Sequence, residues 1–470
     1  MGTNTAFTRR QFLAGSTAAL AAGTTLAAST ARALPAPRRG GKLPEETSTA
    51  QRSPHTIDVT DLEVVTATPN TLTFSWSTVQ RPHTDHLFPG ERVPSDAEVW
   101  LAPVNSRKPL TCVHRSTSDT GFHFMTISGL KPDTLYWFSC RSFGREASPG
   151  LWFTQVTDEP EVTKHVRTLA RPRGRHIQTI AICNDIHIGM KSEIDGNRKW
   201  PSIMASEMLS ELKRLRINRV YVNGDVCDNG TTEEALEMRR IFDAFGRDSQ
   251  DYFFTRGNHD AYSMKSFNDP DPLLPVFPEH KLQHIWVTRD KKLRIIGLDS
   301  SWPGLGGGRI GDAQFEQLEA ELQRDPHSLT LMMAHHPVTT HAAFSDIRMR
   351  DGIIAKDDSM RLQRLLHKAP GVFFMAAGHT HRAHRDARDL PGGPEFAQFC
   401  CTSPYPGGYT LMDIYEGGYT VTSHRTATDR ALHHTAQNRY AMFYGFYGEY
   451  TVSRMRSRCF TVHRDMSALC

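Results

Sequence analysis

The sequence predicts a layered α/β domain that follows a smaller all-β domain. From residue 176 onward, apolar runs of strand length alternate with segments of helix length, an order typical of sheets covered by helices. Between residues 57 and 157 the apolar residues instead recur in short alternating runs, as in sheets with one buried face. The chain has 470 residues, too many for one ordinary hydrophobic core, so at least two domains are expected.

The first 33 residues have the features of an export signal peptide. Arg9 and Arg10 stand in the run Thr-Arg-Arg-Gln-Phe-Leu, which resembles the twin-arginine motif, and a mildly apolar stretch follows at residues 12–28. The Ala-Arg-Ala triplet at residues 31–33 fits a cleavage site. We therefore expect a prokaryotic protein that the twin-arginine translocase exports, secreted or extracytoplasmic, with no stable membrane span after cleavage. The alternative is an arginine pair that merely precedes an Ala-rich segment.

Residues 34–56 are rich in Pro, Arg, Gly, Glu and Ser and predict a flexible linker. The β-domain at 57–157 contains an alternating run at 71–77, which places Trp76 on its apolar face. The run Leu-Lys-Pro-Asp-Thr-Leu-Tyr that ends at Tyr136 resembles the tyrosine corner of fibronectin type III sandwiches, where the hydroxyl bonds to upstream backbone. An unrelated small β-sandwich is the alternative.

The α/β domain is expected to span residues 176–408, and each of its elements follows from apolar periodicity. Strands are predicted at 177–183, 220–222, 253–254, 293–298, 329–333 and 372–375, and helices at 204–215, 233–245, 312–324 and 360–367. The last segment, 409–470, is predicted to be a β-rich extension that covers a sheet edge or packs on the first domain, and its sequence indicates no function.

Five short polar motifs occur in order, each directly after a strand-like run. They are Asp185-Ile186-His187, Gly224-Asp225-Val226-Cys227-Asp228, Gly257-Asn258-His259-Asp260, His335-His336-Pro337 and Gly378-His379-Thr380-His381. Ligands of α/β sheets gather at the carboxyl ends of strands, so these motifs are expected to converge. Carboxylate, amide and imidazole groups together suit zinc, manganese or iron. Each motif alone occurs by chance as a turn or a buried histidine, whereas five in this order predict a metal centre.

This order of motifs is similar to that of the calcineurin-like metallophosphoesterases over roughly residues 176–405. The resemblance implies a four-layer α/β/β/α sandwich and two divalent or trivalent metal ions, Fe, Mn or Zn. It assigns Asp185, His187 and His381 to the first ion, Asn258, His335 and His379 to the second, and Asp225 to a bridge between them. His336 competes with His335, which is preferred because the family ligand stands two residues before the proline.

The resemblance also implies the chemistry. Two cations about 3.5–4 Å apart clamp a hydroxide and the phosphoryl oxygens of a small-molecule phosphate ester. His259 is expected to donate a hydrogen bond to the phosphoryl group or to protonate the leaving oxygen, and the Asp228 carboxylate is expected to orient it. Asp260 is as well explained by a structural role.

The substrate class follows from finer resemblances. The run at residues 297–300, followed by glycines and by a helix from Asp312, looks like the class III cyclic-nucleotide phosphodiesterase branch, which favours a diester. The front domain resembles purple acid phosphatase architecture, but Asp228 occupies the position of the metal-bound tyrosine of those enzymes.

Three other functions remain open at this stage. They are a phosphomonoesterase that uses the same centre, a non-catalytic cell-surface binding protein, and a nuclease. A net charge of +4 and the lack of a basic stripe argue against nucleic acid as the partner.

Overall fold

A computed structural model describes residues 56–80, 91–106, 108–150, 158–192, 194–345, 352–440 and 450–470. The predicted signal peptide and all of the predicted linker except its last residue lie outside these ranges. None of the helices within them is long and apolar enough to cross a membrane.

The first domain is a β-sandwich of two sheets. One sheet has the order β1-β2-β5, and the other has the order β4-β3-β6-β7 with β8 beside β6. The strands are β1 Ile57–Ala67, β2 Thr71–Gln80, β3 Ser95–Pro103, β4 Thr111–Ser118, β5 Phe122–Ser128, β6 Leu135–Ser142, β7 Arg145–Glu146 and β8 His165–Arg167, with helix α1 at Pro160–Thr163 before β8. Phe74, Trp76 and Phe138 are almost completely buried between the sheets.

The tyrosine corner has the contact that its sequence predicts. The hydroxyl of Tyr136 accepts a hydrogen bond from the backbone N–H of Lys131 at 3.0 Å. Trp76 donates its indole N–H to Ser142 Oγ at 2.9 Å, which satisfies the polar edge of a buried ring. Membership of the fibronectin type III class stays a prediction.

The second domain contains two six-stranded sheets, ordered β11-β10-β9-β18-β19-β20 and β12-β13-β14-β15-β17-β16. The strands of the domain are β9 His176–Cys183, β10 Val220–Asn223, β11 Tyr252–Thr255, β12 Ile285–Asp290, β13 Leu293–Leu298, β14 Thr330–Ala334, β15 Val372–Ala377, β16 His384–Asp386, β17 Glu395–Gln398, β18 Gly408–Tyr415, β19 Gly418–Arg425 and β20 Cys459–His463. The helices are α2 Trp200–Arg214, α3 Thr232–Asp243, α4 Asp312–Arg324, α5 Thr340–Ser345, α6 Lys356–His367, α7 Asp429–Asn438 and α8 Met455–Arg458.

Three apolar cores separate four layers. Met208 of α2 and Phe242 of α3 pack on the outer face of the first sheet. Ile182 of the first sheet and Leu331 of the second lie in a core between the two sheets. Residues of α4 and α6, among them Leu318, pack on the outer face of the second sheet. This arrangement confirms the predicted α/β/β/α sandwich.

Parallel pairing sets the position of the polar motifs. Strands β9, β10 and β11 are parallel, and so are β13, β14, β15 and β17. The carboxyl ends of parallel strands meet at one edge of a sheet, so loops that leave these strands lie side by side.

The predicted boundary at residue 408 does not divide the structure. Strand β18 pairs antiparallel with β9 from Thr410 to Tyr415, and β19 and β20 continue the same sheet. The segment 409–470 therefore completes the first sheet of the second domain rather than standing beside it. It also meets the first domain, since Arg425 on β19 forms a buried ion pair with Glu63 on β1.

Candidate metal centre

The five motifs lie at the carboxyl ends of five strands. Asp185 follows β9 by two residues, Asp225 follows β10 by two, and Asn258 follows β11 by three. His335 comes directly after β14, and His379 follows β15 by two residues. Every one of these side chains is buried or nearly so.

Five of the candidate ligands have left-handed backbone. Their φ angles are 51° at Asp185, 54° at His187, 50° at Asp225, 66° at His379 and 56° at His381. This conformation is uncommon for residues other than glycine and costs roughly 1–2 kcal/mol each. Such strain is typical of functional sites, where the surrounding structure enforces it.

Local contacts enforce this backbone. The backbone N–H of His379 donates to the Asp185 carboxylate at 3.0 and 3.1 Å, and the N–H of His187 donates to the carbonyl oxygen of Asp225 at 2.9 Å. At Gly257 a Cβ atom would lie 2.1 Å from Asp225 Oδ1. Only glycine leaves room there for the carboxylate.

The first group of candidate ligands consists of Asp185, His187 and His381. His381 Nε2 lies 3.3 Å from Asp185 Oδ1 and 3.1 Å from His187 Nε2. His187 Nε2 lies 4.0 Å from the same carboxylate oxygen. The three side chains thus direct one atom each to a common point.

The second group consists of Asn258, His335 and His379. His335 Nε2 lies 3.2 Å from Asn258 Oδ1 and 3.1 Å from His379 Nδ1. The other ring nitrogen of His335 donates to the carbonyl oxygen of Asn223 at 2.7 Å, which leaves Nε2 as the nitrogen that faces the group.

Asp225 lies between the two groups. Its Oδ2 atom is 3.7 Å from His187 Nε2 and 3.2 Å from His335 Nε2. Its Oδ1 atom accepts a hydrogen bond from the backbone N–H of His259 at 2.9 Å. Asp225 Oδ2 thus faces both groups, and its assignment to a bridge between two ions stays a prediction.

The converging nitrogen and oxygen atoms are better arranged to bind cations than to form hydrogen bonds with one another. His335 Nε2 has three acceptor atoms within 3.2 Å, although one N–H serves a single acceptor well. The 3.1 Å separation of His187 Nε2 and His381 Nε2 likewise leaves room for one proton at most. Nitrogen and oxygen atoms that converge in this way match the ligand preference of zinc, manganese and iron.

Charge within the site favours cations as well. Burial lowers the pKa of His335, but the Asp225 carboxylate outweighs it and brings the pKa to about 9. Burial raises the pKa of Asp225, and His335 and the neighbouring histidines more than offset it, so this carboxyl stays ionised. A bound cation would replace the proton of His335, which couples metal binding to proton release.

His336 faces another part of the chain. Its Nδ1 atom lies 2.9 Å from Ser300 Oγ and its Nε2 atom lies 3.2 Å from the carbonyl oxygen of Gly306. His336 is close enough to His335 and His379 to share an ion with them, whereas Asp225 Oδ2 lies 3.2 Å from His335 Nε2. The preference for His335 as the ligand is consistent with these contacts.

The Asp228 carboxylate, which was expected to orient His259, lies nearer to His187 than to His259. Asp228 Oδ1 lies 3.8 Å from His259 Nδ1 but only 3.4 Å from His187 Nδ1. His259 instead donates through Nδ1 to the backbone carbonyl of Asp228 at 2.6 Å. Asp228 therefore orients His259 through its backbone, and its carboxylate supports the candidate ligand His187.

Asp260 has a structural role. Its buried carboxylate accepts hydrogen bonds from the backbone N–H groups of Cys227, Gly257 and Val226 at 2.8, 2.9 and 3.3 Å. Burial and the charge of Asp225 raise the pKa of Asp260 to about 7. These bonds tie the second motif to the third.

Three contributors were not found from sequence. Asn184 donates its amide to the Asp185 carboxylate, and the backbone carbonyl of Asn223 holds His335. The ring of Tyr262 stacks on His259 at 13° and is 64% exposed beside it. In the sequence, only the positions of these residues next to the motifs could have indicated that they contribute to the site.

Residues 178–383 match the family described as calcineurin-like phosphoesterase. The chain is 32% identical over 168 residues to a probable glycerophosphodiester phosphodiesterase GpdQ of Arcobacter nitrofigilis, a match that covers 35% of this chain and 56% of that protein. It is 24% identical over 217 residues to the 3',5'-cyclic adenosine monophosphate phosphodiesterase CpdA of Vibrio vulnificus, with 45% of this chain and 72% of that protein covered. The chain thus spans about half the length of the first relative.

Solved structures with partial overlap include a dimetal phosphatase from Danio rerio, with a TM-score of 0.42, 13% identity and coverage of 54% of this chain and 98% of that one. A purple acid phosphatase from yellow lupin seeds overlaps with a TM-score of 0.40, 15% identity and coverage of 86% and 74%.

Proposed function

We propose that the chain is a binuclear metal-dependent phosphodiesterase. The observation that carries this proposal is the Asp225 Oδ2 atom, which lies within 3.7 Å of a histidine nitrogen from each ligand group. Two bound cations would supply a hydroxide near neutral pH and offset the charge of the phosphoryl group. Seven converging candidate ligands also argue against a purely structural or binding role.

The chain's own residues would perform the remaining steps. His259 is fixed by its backbone N–H to Asp225 at 2.9 Å and by its Nδ1–H to the Asp228 carbonyl at 2.6 Å. With Nδ1 committed, Nε2 is the ring nitrogen that holds or transfers a proton to the leaving oxygen. Its side chain is about one-third exposed, as contact with a substrate requires.

A diester is the proposed substrate class. The names of two relatives describe diester hydrolysis, and Asp228 occupies the position where purple acid phosphatases have a metal-bound tyrosine. We expect kcat/KM for bis(p-nitrophenyl) phosphate to equal or exceed that for p-nitrophenyl phosphate. The iron-loaded protein should also lack the violet tyrosinate absorption.

Two outcomes would change this proposal in different ways. A preference for the monoester beyond about tenfold, equivalent to ~1.4 kcal/mol of transition-state stabilisation, would replace the diesterase by a phosphomonoesterase at the same centre. A strong violet band would contradict the ligand set itself. Inactivity of the metal-loaded protein on both esters would favour the binding-protein alternative.

Export by the twin-arginine translocase is proposed from residues outside the described ranges. Replacing Arg9 and Arg10 together by Lys should leave precursor in the cytoplasm, because the translocase reads the guanidinium pair. The matched control replaces Arg38 and Arg39, a second arginine pair in the predicted linker, by Lys. Immunoblots of cell fractions measure both variants. Normal export of the Arg9/Arg10 variant would refute the route.

A further inference from the structure

A separate cluster of potential metal ligands lies where helix α5 meets strand β16. It consists of His341 on α5 and of His384 and Asp386 on β16. Asp386 Oδ1 lies 3.7 Å from His341 Nδ1 and 3.8 Å from His384 Nε2. None of these residues belongs to the seven candidate ligands of the centre described above.

The His384 ring lacks partners that its burial requires. Its side chain is 12% exposed, and neither ring nitrogen has a hydrogen-bond partner within the described part of the chain. A buried N–H or lone pair left in this way costs about 1–3 kcal/mol. Burial, with help from Arg382, lowers the pKa of His384 to about 3, so the ring is neutral, the form that binds metals.

The other two side chains are already arranged as ligands. Asp386 is 2% exposed and accepts the amide of Gln398 at 2.7 Å, which fixes its carboxylate. His341 Nδ1 accepts the backbone N–H of Ala387 at 3.2 Å, while the Asp386 carboxylate raises the pKa of this imidazole, so a cation would bind here in exchange for a proton. A cation would replace that long hydrogen bond.

The spacing fits one small cation. Ligand atoms about 2.0–2.1 Å from a tetrahedral zinc ion lie about 3.3 Å apart. Asp386 Oδ1 is 3.7 and 3.8 Å from the two histidine nitrogens, and all three ligand atoms lie within 4.8 Å of one another. The His341 side chain is 43% exposed, which leaves solvent access for a fourth ligand.

We propose that His341, His384 and Asp386 bind a divalent transition-metal ion of the zinc class, separate from the dinuclear centre. The ion joins helix α5 to strand β16. It also stabilises the loop of the last motif, because Gln398 accepts a hydrogen bond from Thr380 Oγ1 at 2.6 Å, between His379 and His381. The proposed role of this ion is structural.

Metal analysis of purified zinc-loaded protein tests this site independently of the dinuclear one. His341→Ala should lose one equivalent of zinc per chain, both in the wild-type background and in an Asp225→Asn background. His327→Ala removes an exposed histidine outside all the clusters found among the described residues and should lose none. Because His341 is partly exposed, the variant is expected to fold, and circular dichroism checks this.

Cobalt provides a second readout. The Co²⁺ spectrum of wild type minus that of His341→Ala should show the intense visible bands of a four-coordinate ion. His384→Asn, with a neutral and smaller side chain, should lose the same bands. Equal zinc content in wild type and His341→Ala, or a featureless difference spectrum, would overturn the proposal.

Discussion

Asp225→Asn is expected to remove at least one cation of the dinuclear centre and to lower kcat/KM for a diester by ~10³-fold or more. The amide keeps the shape of the side chain but loses the negative charge that lies 3.2 Å from His335 Nε2 and 3.7 Å from His187 Nε2. Charge stabilisation of this kind is worth several kcal/mol, and ~10³-fold corresponds to about 4 kcal/mol. Metal analysis and steady-state kinetics on the same preparation measure both effects.

The matched control is Asp312→Asn, because the Asp312 side chain is 87% exposed at the start of α4. It should keep full metal content and activity. If Asp225→Asn also kept both, the assignment of Asp225 to the bridge would be wrong. Circular dichroism separates loss of metal from loss of fold.

His259→Ala should keep both cations and lose 10²–10⁴-fold in kcat, the usual share of a positioned acid–base group. Among the described residues, Asp225 is the one candidate ligand with a hydrogen bond to His259, and that bond uses the backbone N–H, which alanine retains. Turnover of a diester under saturating substrate measures the effect.

A comparison with Asp228→Asn sharpens this test. The Asp228 carboxylate is nearer to His187 than to His259, so its loss should weaken metal binding by about 10–100-fold while the backbone carbonyl still orients His259. Loss of metal in His259→Ala would show that His259 is a ligand, contrary to its assigned role.

The site was predictable because its chemistry is carried by side chains at strand ends. Asp185, Asp225 and His335 each follow an apolar run in the sequence. Parallel pairing of β9 with β10 places the first two side by side, and the packing of the two sheets against each other brings His335, which follows β14 of the second sheet, to the same place. Residue type and strand-end position are both visible in a sequence, so the ligand groups could be inferred before their geometry was known.

The orientation of His259 could not be inferred in this way. Its partner is the backbone carbonyl of Asp228, and every residue has a carbonyl, so no residue type marks the contact. The Asp228 side chain suggested a carboxylate–imidazole pair, but its carboxylate lies closer to His187. The distances from the Asp228 carboxylate to His187 and to His259 differ by only a few tenths of an ångström. Loop geometry sets this difference, and loop geometry cannot be read from the sequence.

The pairing of strands that are far apart in the sequence was the other feature that local sequence patterns did not indicate. Alternation at residues 418–422 predicted the strand β19 but not the sheet that it joins, in which the adjacent β18 pairs with β9, more than 200 positions earlier in the chain. The cluster of His341, His384 and Asp386 was missed for the same reason, because α5 and β16 meet only in the folded chain.

The ion pairs between the two domains limit how freely the β-sandwich could be exchanged as a module. Glu63 on β1 contacts Arg425 and Arg439, and all three side chains are at most 4% exposed. Burial raises the pKa of Glu63, but Arg425, Arg439 and the hydrogen bond from Tyr405 together more than offset this and lower the pKa, so the carboxyl remains charged. A foreign sandwich without an acidic residue at the position of Glu63 would leave two buried guanidinium groups without their carboxylate, a loss that typically costs about 3–5 kcal/mol. If either domain were joined to a foreign partner, that partner would therefore need compensating substitutions at the contact.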